Sequence, residues 1–182
     1  MSILPDHEIS WLSHSDPPLI KPFNEQRVQP ASYDMTLGDE IITFDRGPMP
    51  QVIDLASPPK DVGLKIKLIE NESYRLMPMQ FILGVTRERI CCPADIAAKL
   101  DGKSSLARFG LLIHVTGGFI DPGFRGPLTL EIFNVFPVPI LLRPGLPFCQ
   151  VGFQRLTESA SVPYAGRYQD AEGVEASKYD GR

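Results

Sequence analysis

The chain has 182 residues and a formal net charge of −4, enough length to bury one core and fit a single domain over residues 1–182. The mildly acidic balance argues against a general DNA or RNA binder, which needs a basic face, but leaves room for a local basic cluster that takes a small anion. Three cysteines, Cys91 beside Cys92 and Cys149 alone, do not make the spaced framework of a secreted disulfide scaffold.

The start, MSILPDHEIS, lacks a basic n-region, an apolar core and a cleavage site, and no apolar run is long enough to span a bilayer. The expectation is a cytoplasmic protein with no membrane and no nucleic-acid partner. Eighteen prolines and fifteen glycines punctuate short apolar runs, the texture of an all-β barrel or sandwich.

In chain order, residues 5–13 read as a short helix with Ile9, Trp11 and Leu12 available to pack, and residues 15–32 as extended. Strands are expected over 41–44, 64–69, 74–77 and 81–86. In the second of these, Lys65 and Lys67 alternate with Leu64, Ile66 and Leu68 to give one wet and one buried face. Residues 93–100 read as a short helix with proline in its first turn. Ser104 or Ser105 is expected to cap another helix running to Phe109, with Gly110 as its left-handed C-terminal residue. Strands follow over 111–115, 119–120, 128–134, 140–142 and 150–156, then a polar tail from about 158, expected to be mobile unless a ligand orders it.

Three constellations carry chemistry. Lys103, Ser104, Ser105 and Arg108 surround a helix start, where backbone N–H groups attract anions and an arginine can grip phosphate in a bidentate fashion; a capped, solvated surface helix explains the same spacing. Gly117-Gly118-Phe119-Ile120-Asp121-Pro122-Gly123-Phe124 permits close backbone approach, a carboxylate for a sugar hydroxyl and a ring for the sugar face; a plain Asp-Pro-Gly turn is the alternative. In residues 128–134, alternation puts Leu128, Leu130 and Ile132 on one face and Thr129, Glu131 and Phe133 on the other. Glu131 beside Phe133 reads either as a partly desolvated acid/base with a raised pKa or as a solvent-facing glutamate. A zinc deaminase is not indicated: none of His7, His14 or His114 has a glutamate two residues on, and no CxxC occurs. Nucleophile-elbow and Walker A signatures are also lacking.

Five segments in order, PASYDMTLG (30–38), GKSSLARFGL (102–111), HVTGGFIDPGFRGPLTLEIFN (114–134), RPGLPFCQVGF (143–153) and PYAGRYQ (163–169), resemble the dCTP deaminase branch of the dUTPase superfamily. The resemblance implies a distorted β-barrel of the β-clip type, assembled as a homotrimer with active sites between subunits. It implies deamination of dCTP to dUTP and ammonia without zinc, with Mg2+ travelling on the triphosphate. By motif, Lys103, Ser104, Ser105, Leu106, Ala107 and Arg108 hold the triphosphate and a catalytic water, some from a neighbouring subunit. Asp121 contacts the deoxyribose and Phe124 crowds a 2′-hydroxyl. Thr129, Leu130 and Glu131 line the cytosine, with Glu131 the general acid/base. Gly117 amides orient the water, and Gln150, Tyr164 and Arg167 come from closing segments.

Two departures stand out. The family's tail reads tyrosine, glutamine, glycine, glutamine, whereas Tyr168 and Gln169 are followed here by Asp170 and Ala171; Lys178-Tyr179 is a second candidate for that motif. The family often has alanine at Gly117. Competing readings are a bifunctional enzyme releasing dUMP and pyrophosphate, a dUTPase alone (which would not need Glu131), a nucleotide-binding regulator without catalysis, and a structural trimeric barrel.

Overall fold

The computed structural model describes residues 2–60, 62–69, 71–114 and 116–181. In chain order these form β1 (Ser2–Ile3), α1 (Asp6–Ser13), β2 (Ile20–Lys21), a 3-10 turn (Glu25–Arg27), β3 (Val28–Gln29), β4 (Ser32–Thr43), β5 (Leu64–Lys67), β6 (Tyr74–Leu76), β7 (Phe81–Cys91), β8 (Ile96–Gly102), α2 (Ser104–Ala107), β9 (Leu111–Leu112), β10 (Phe119–Ile120), β11 (Arg125–Asn134), β12 (Ile140–Leu142) and β13 (Pro147–Arg155). The main sheet runs β10-β8-β13-β4-β7-β11-β9, with β1, β2, β3 and β5 joined to its members, and every pairing is antiparallel. β12 and β6 make a separate pair. This curled, mostly β architecture is the one the sequence texture predicts.

β4 is the central strand. Its Tyr33, Met35, Leu37 and Ile41 are fully buried in the core, where they meet Val151 and Phe153 of β13 and Ile82 and Ile90 of β7. The sequence reading starts this strand only at 41, because Asp34, Asp39 and Glu40 obscure the period-2 signal. The expected helix over 93–100 is a correction: residues 94–95 form a turn and β8 follows, paired with β13 from Ile96 to Gly102. Ala97 and Ala98 favour helix locally, but seven consecutive cross-strand pairs override that weak preference. β7 runs on to Cys91 rather than ending at 86, with Glu88 buried in line with Thr86 and Ile90. Trp11, expected to pack, is 70% exposed, while Ile9 on α1 is buried. Leu64 is also exposed, so β5 buries less of its apolar face than its alternation predicts. Val115, the end of the expected 111–115 strand, lies outside the described residues.

All three cysteines are free. Burial pushes the Cys92 thiol up to about 12 and raises that of Cys149 further, so both are packing residues.

Glu88 is the most deeply buried charge described, at 0% exposure. Its carboxylate accepts from the Thr36 backbone N–H at 2.7 Å, the Thr36 hydroxyl at 2.8 Å and the Arg27 guanidinium at 2.7 Å. The Thr86 hydroxyl donates to the Glu88 carbonyl and accepts from the Leu128 N–H. One network thus ties the 3-10 turn, β4, β7 and β11 together. Removing one partner of a buried pair strands the other charge, so Glu88→Ala is expected to cost about 3 kcal/mol in urea unfolding; a loss below about 1 kcal/mol contradicts this role.

Candidate active site

A cavity of about 390 Å³ lies between the 117–124 loop, β11 and the C-terminal segment, a volume in the range of small-molecule sites. β11 supplies Thr129 and Glu131, which alternation turns away from the buried Leu130 and Ile132 as expected. Glu131 is half-buried and accepts a hydrogen bond from the Thr116 hydroxyl at 3.3 Å. The Asp-Pro-Gly turn, closed by the Phe124 N–H on the Asp121 carbonyl, places Asp121 and Phe124 on the cavity wall. The Phe124 ring meets Tyr164 edge-on at 5.6 Å, joining loop to tail.

Gly117 also lines the cavity, and a Cβ built there would sit 3.6 Å from His114 Nε2 and 3.9 Å from Glu131 Oε1. The alanine common in the family therefore fits without a clash. His114 is a wall residue that the sequence reading did not assign: both ring nitrogens are buried without a hydrogen-bond partner among the described residues. No motif spacing marks it; only the fold brings it to the cavity.

The remaining expected residues lie elsewhere, and strand parity explains why. Leu100 of β8 lines the cavity, so its neighbour Asp101 faces the opposite side. Gln150 stands opposite Asp101 on one flank and Asp34 on the other, in a single row across β8, β13 and β4. Cys149 and Val151, on either side of Gln150, are in the core. Gln150 therefore looks outward, and Lys103 joins the same outer face through Asp34 at 2.5 Å. Ser104, Ser105, Ala107 and Arg108 are exposed, Leu106 is half-buried, and Arg108 folds back to donate to the Ser104 carbonyl at 3.1 Å. Lys103, rather than Ser104 or Ser105, occupies the N-cap of α2, and it makes no side-chain capping bond. Gly110 ends the turn at φ +67°, as expected. Leu130 is fully buried, so its side chain belongs to the core and not to the cavity wall. Arg167 bonds the Lys178 carbonyl and Asp180, each at 2.7 Å, and so braces the tail.

The C-terminal segment closes the cavity with Tyr164, Tyr168, Ala171 and residues 175–177. Asp170 adopts φ +57° and is gripped by Arg125 at 2.8 and 3.0 Å. That left-handed backbone is one a glycine adopts without strain. Gln169 bonds the backbone of Gly123, Tyr164 and Arg125, and Arg89 donates to the Ala171 carbonyl at 2.6 Å. Further on, Val174 is buried against Ile42 and Val85, and its N–H donates to Glu40 at 3.0 Å. The Glu175 N–H reaches the Thr129 hydroxyl at 3.3 Å. A methyl on Gly173 would run into the Glu40 carboxylate, which would have to shift to admit it.

Burial raises the Glu40 pKa, but the Lys65 ammonium and the Val174 N–H outweigh it and hold the carboxyl below its ordinary 4.5. A lowered carboxyl pKa means that the tail contact is complete above 4.5 and is lost as pH falls through the lower folded value. The Val174 amide proton shift is expected to titrate with a midpoint below 4.5; a midpoint above it contradicts the contact.

A family profile described as dCTP deaminase-like matches residues 3–156, and the chain belongs to that family. It is 40% identical over 165 residues to a Coprothermobacter proteolyticus protein named dCTP deaminase, dUMP-forming, covering 88% of this chain and 87% of that one. A Beutenbergia cavernae protein of the same name is 41% identical over 181 residues, covering 97% and 94%. A Rhodospirillum rubrum protein named dCTP deaminase is 41% identical over 157 residues, covering 80% of each. The crystal structure of 2′-deoxycytidine 5′-triphosphate deaminase from Agrobacterium tumefaciens superposes with a TM-score of 0.65 at 25% identity; the match covers 84% of this chain and 48% of that chain. Among the described residues no helix is long and apolar enough to cross a membrane.

Proposed function

We propose that the protein is an enzyme of pyrimidine deoxynucleotide metabolism that converts dCTP to dUMP, ammonia and pyrophosphate. One water replaces the amine at cytosine C4 and a second cleaves between the α- and β-phosphates. The observation that carries the deamination is Glu131, a half-buried carboxylate on the cavity wall with Thr129, Asp121 and Phe124. Several of the most similar relatives carry the name dUMP-forming, which favours dUMP over the dUTP end product that the sequence alone suggests.

Glu131 takes a proton from water as it attacks C4, then passes protons to the ring nitrogen and the departing amine. Asp121 takes the sugar hydroxyl, and Phe124, held by Tyr164, presses on the sugar where a 2′-hydroxyl would sit. The triphosphate enters as its Mg2+ complex, so the metal belongs to the substrate. The phosphate segment, residues 103–108, lies on the outer face of the chain, and in this reading a second copy delivers it to the cavity, within a homotrimer.

The decisive assay follows ammonia, pyrophosphate and nucleotide together during incubation with dCTP and Mg2+. Ammonia, pyrophosphate and dUMP in equal amounts are expected; accumulation of dUTP without pyrophosphate overturns the second step. Glu131→Gln is expected to slow ammonia release by about 10²–10⁴ while keeping dCTP binding; full activity in that variant removes Glu131 from the chemistry.

A further inference from the structure

We propose that Asp34 is a positioning residue for the phosphate segment, acting through Lys103. The assignment rests on the reading of residues 103–108 as the part that takes the triphosphate. Lys103 is the first residue of that segment and carries the charge that the sequence offers to phosphate. In the folded chain its ammonium lies 2.5 Å from Asp34 Oδ2, with only 23% of its side chain exposed. It therefore points back onto the sheet while Ser104, Ser105 and Arg108 stay exposed.

Asp34 is built to hold it. The residue is 8% exposed near the start of β4, and Gln29 donates to the same Oδ2 at 3.3 Å. Oδ1 is buried with no partner among the described residues, so Lys103 and Gln29 are the groups seen to compensate this carboxylate. A buried, incompletely solvated carboxylate holds a single ammonium tightly, because neither can recover water without moving. Lys103 sits immediately after β8 and immediately before α2, so fixing its side chain fixes where the exposed segment leaves the sheet. In this account Lys103 is an anchor for the segment, and Arg108 is left as its outward cation.

The sign of one substitution decides the matter. Simple charge removal predicts that Asp34→Asn tightens binding of an anion, since a nearby carboxylate disappears. The positioning role predicts the reverse. Calorimetry on the full-length wild type, Asp34→Asn, Lys103→Met, Lys103→Arg and Asp34→Asn/Lys103→Met would measure binding of dCTP with Mg2+ and of dCMP. Asp34→Asn and Lys103→Met are each expected to weaken dCTP by about 10–100-fold, the worth of one charge-assisted hydrogen bond, with dCMP unchanged. The double variant is expected to be no weaker than Lys103→Met, and Lys103→Arg to keep most of the affinity.

Unchanged or tighter dCTP binding by Asp34→Asn overturns the assignment, as does an equal loss for both nucleotides, which marks a merely structural role. Should Asp34→Asn not fold, the double variant, which loses both charges together, carries the test, and a wild-type preference for dCTP over dCMP in it overturns the assignment. A wild type that binds no dCTP overturns the reading of the site itself, and Asp34 falls with it. A wild type that prefers dCTP alongside an unaffected Asp34→Asn overturns the Asp34 role alone.

Discussion

Consecutive residues of a strand face opposite ways, and the site of this protein depends on that alternation. On β8 it sends Leu100 to the cavity wall and Asp101 to the other side. On β13 it buries Cys149 and Val151 and leaves Gln150 outside. On β11 it turns Thr129 and Glu131 to the cavity while Leu130 and Ile132 fill the core. The residues proposed to handle the nucleotide are therefore divided between two faces of the chain. In the proposed function, base and sugar belong to the cavity and the phosphates to the outer face around Lys103. The proposed homotrimer is the simplest arrangement that unites them.

The tail links the two halves of the cavity wall. Its anchors, Arg125 on Asp170, Arg89 on the Ala171 carbonyl and Glu40 on the Val174 N–H, all come from the same chain. They hold the tail against the cavity with contacts from the body of the fold. Asp170 takes a left-handed conformation there, and Val174 adds a buried anchor farther along.

What could be read from the sequence follows from how far apart the interacting residues lie. The alternation in 128–134 is local and strong, and it puts Glu131 on the face opposite Leu130 and Ile132, as the structure does. The Asp-Pro-Gly turn and Gly110 are equally local. β8 reads locally as helix because its alanines favour helix and its partner, β13, lies some fifty residues downstream. Glu88 carries no sequence mark as a buried hub, since Thr36 and Arg27 reach it across 52 and 61 residues. The same distance hid the Asp34–Lys103 pair, so a lysine read as a free phosphate ligand is one already engaged. His114 needed the fold to bring it beside Glu131.

Mixing two impaired chains tests the divided site most directly. Glu131→Gln lacks the cavity acid and keeps the phosphate segment; Arg108→Ala has the reverse defect. Unfolded together, refolded and assayed for ammonia release from dCTP, the pair is predicted to recover roughly a quarter of the wild-type rate, the share of sites that draw one intact half from each chain. No recovery above the separate variants, with both shown to assemble, would place all of the chemistry within a single chain and contradict the account.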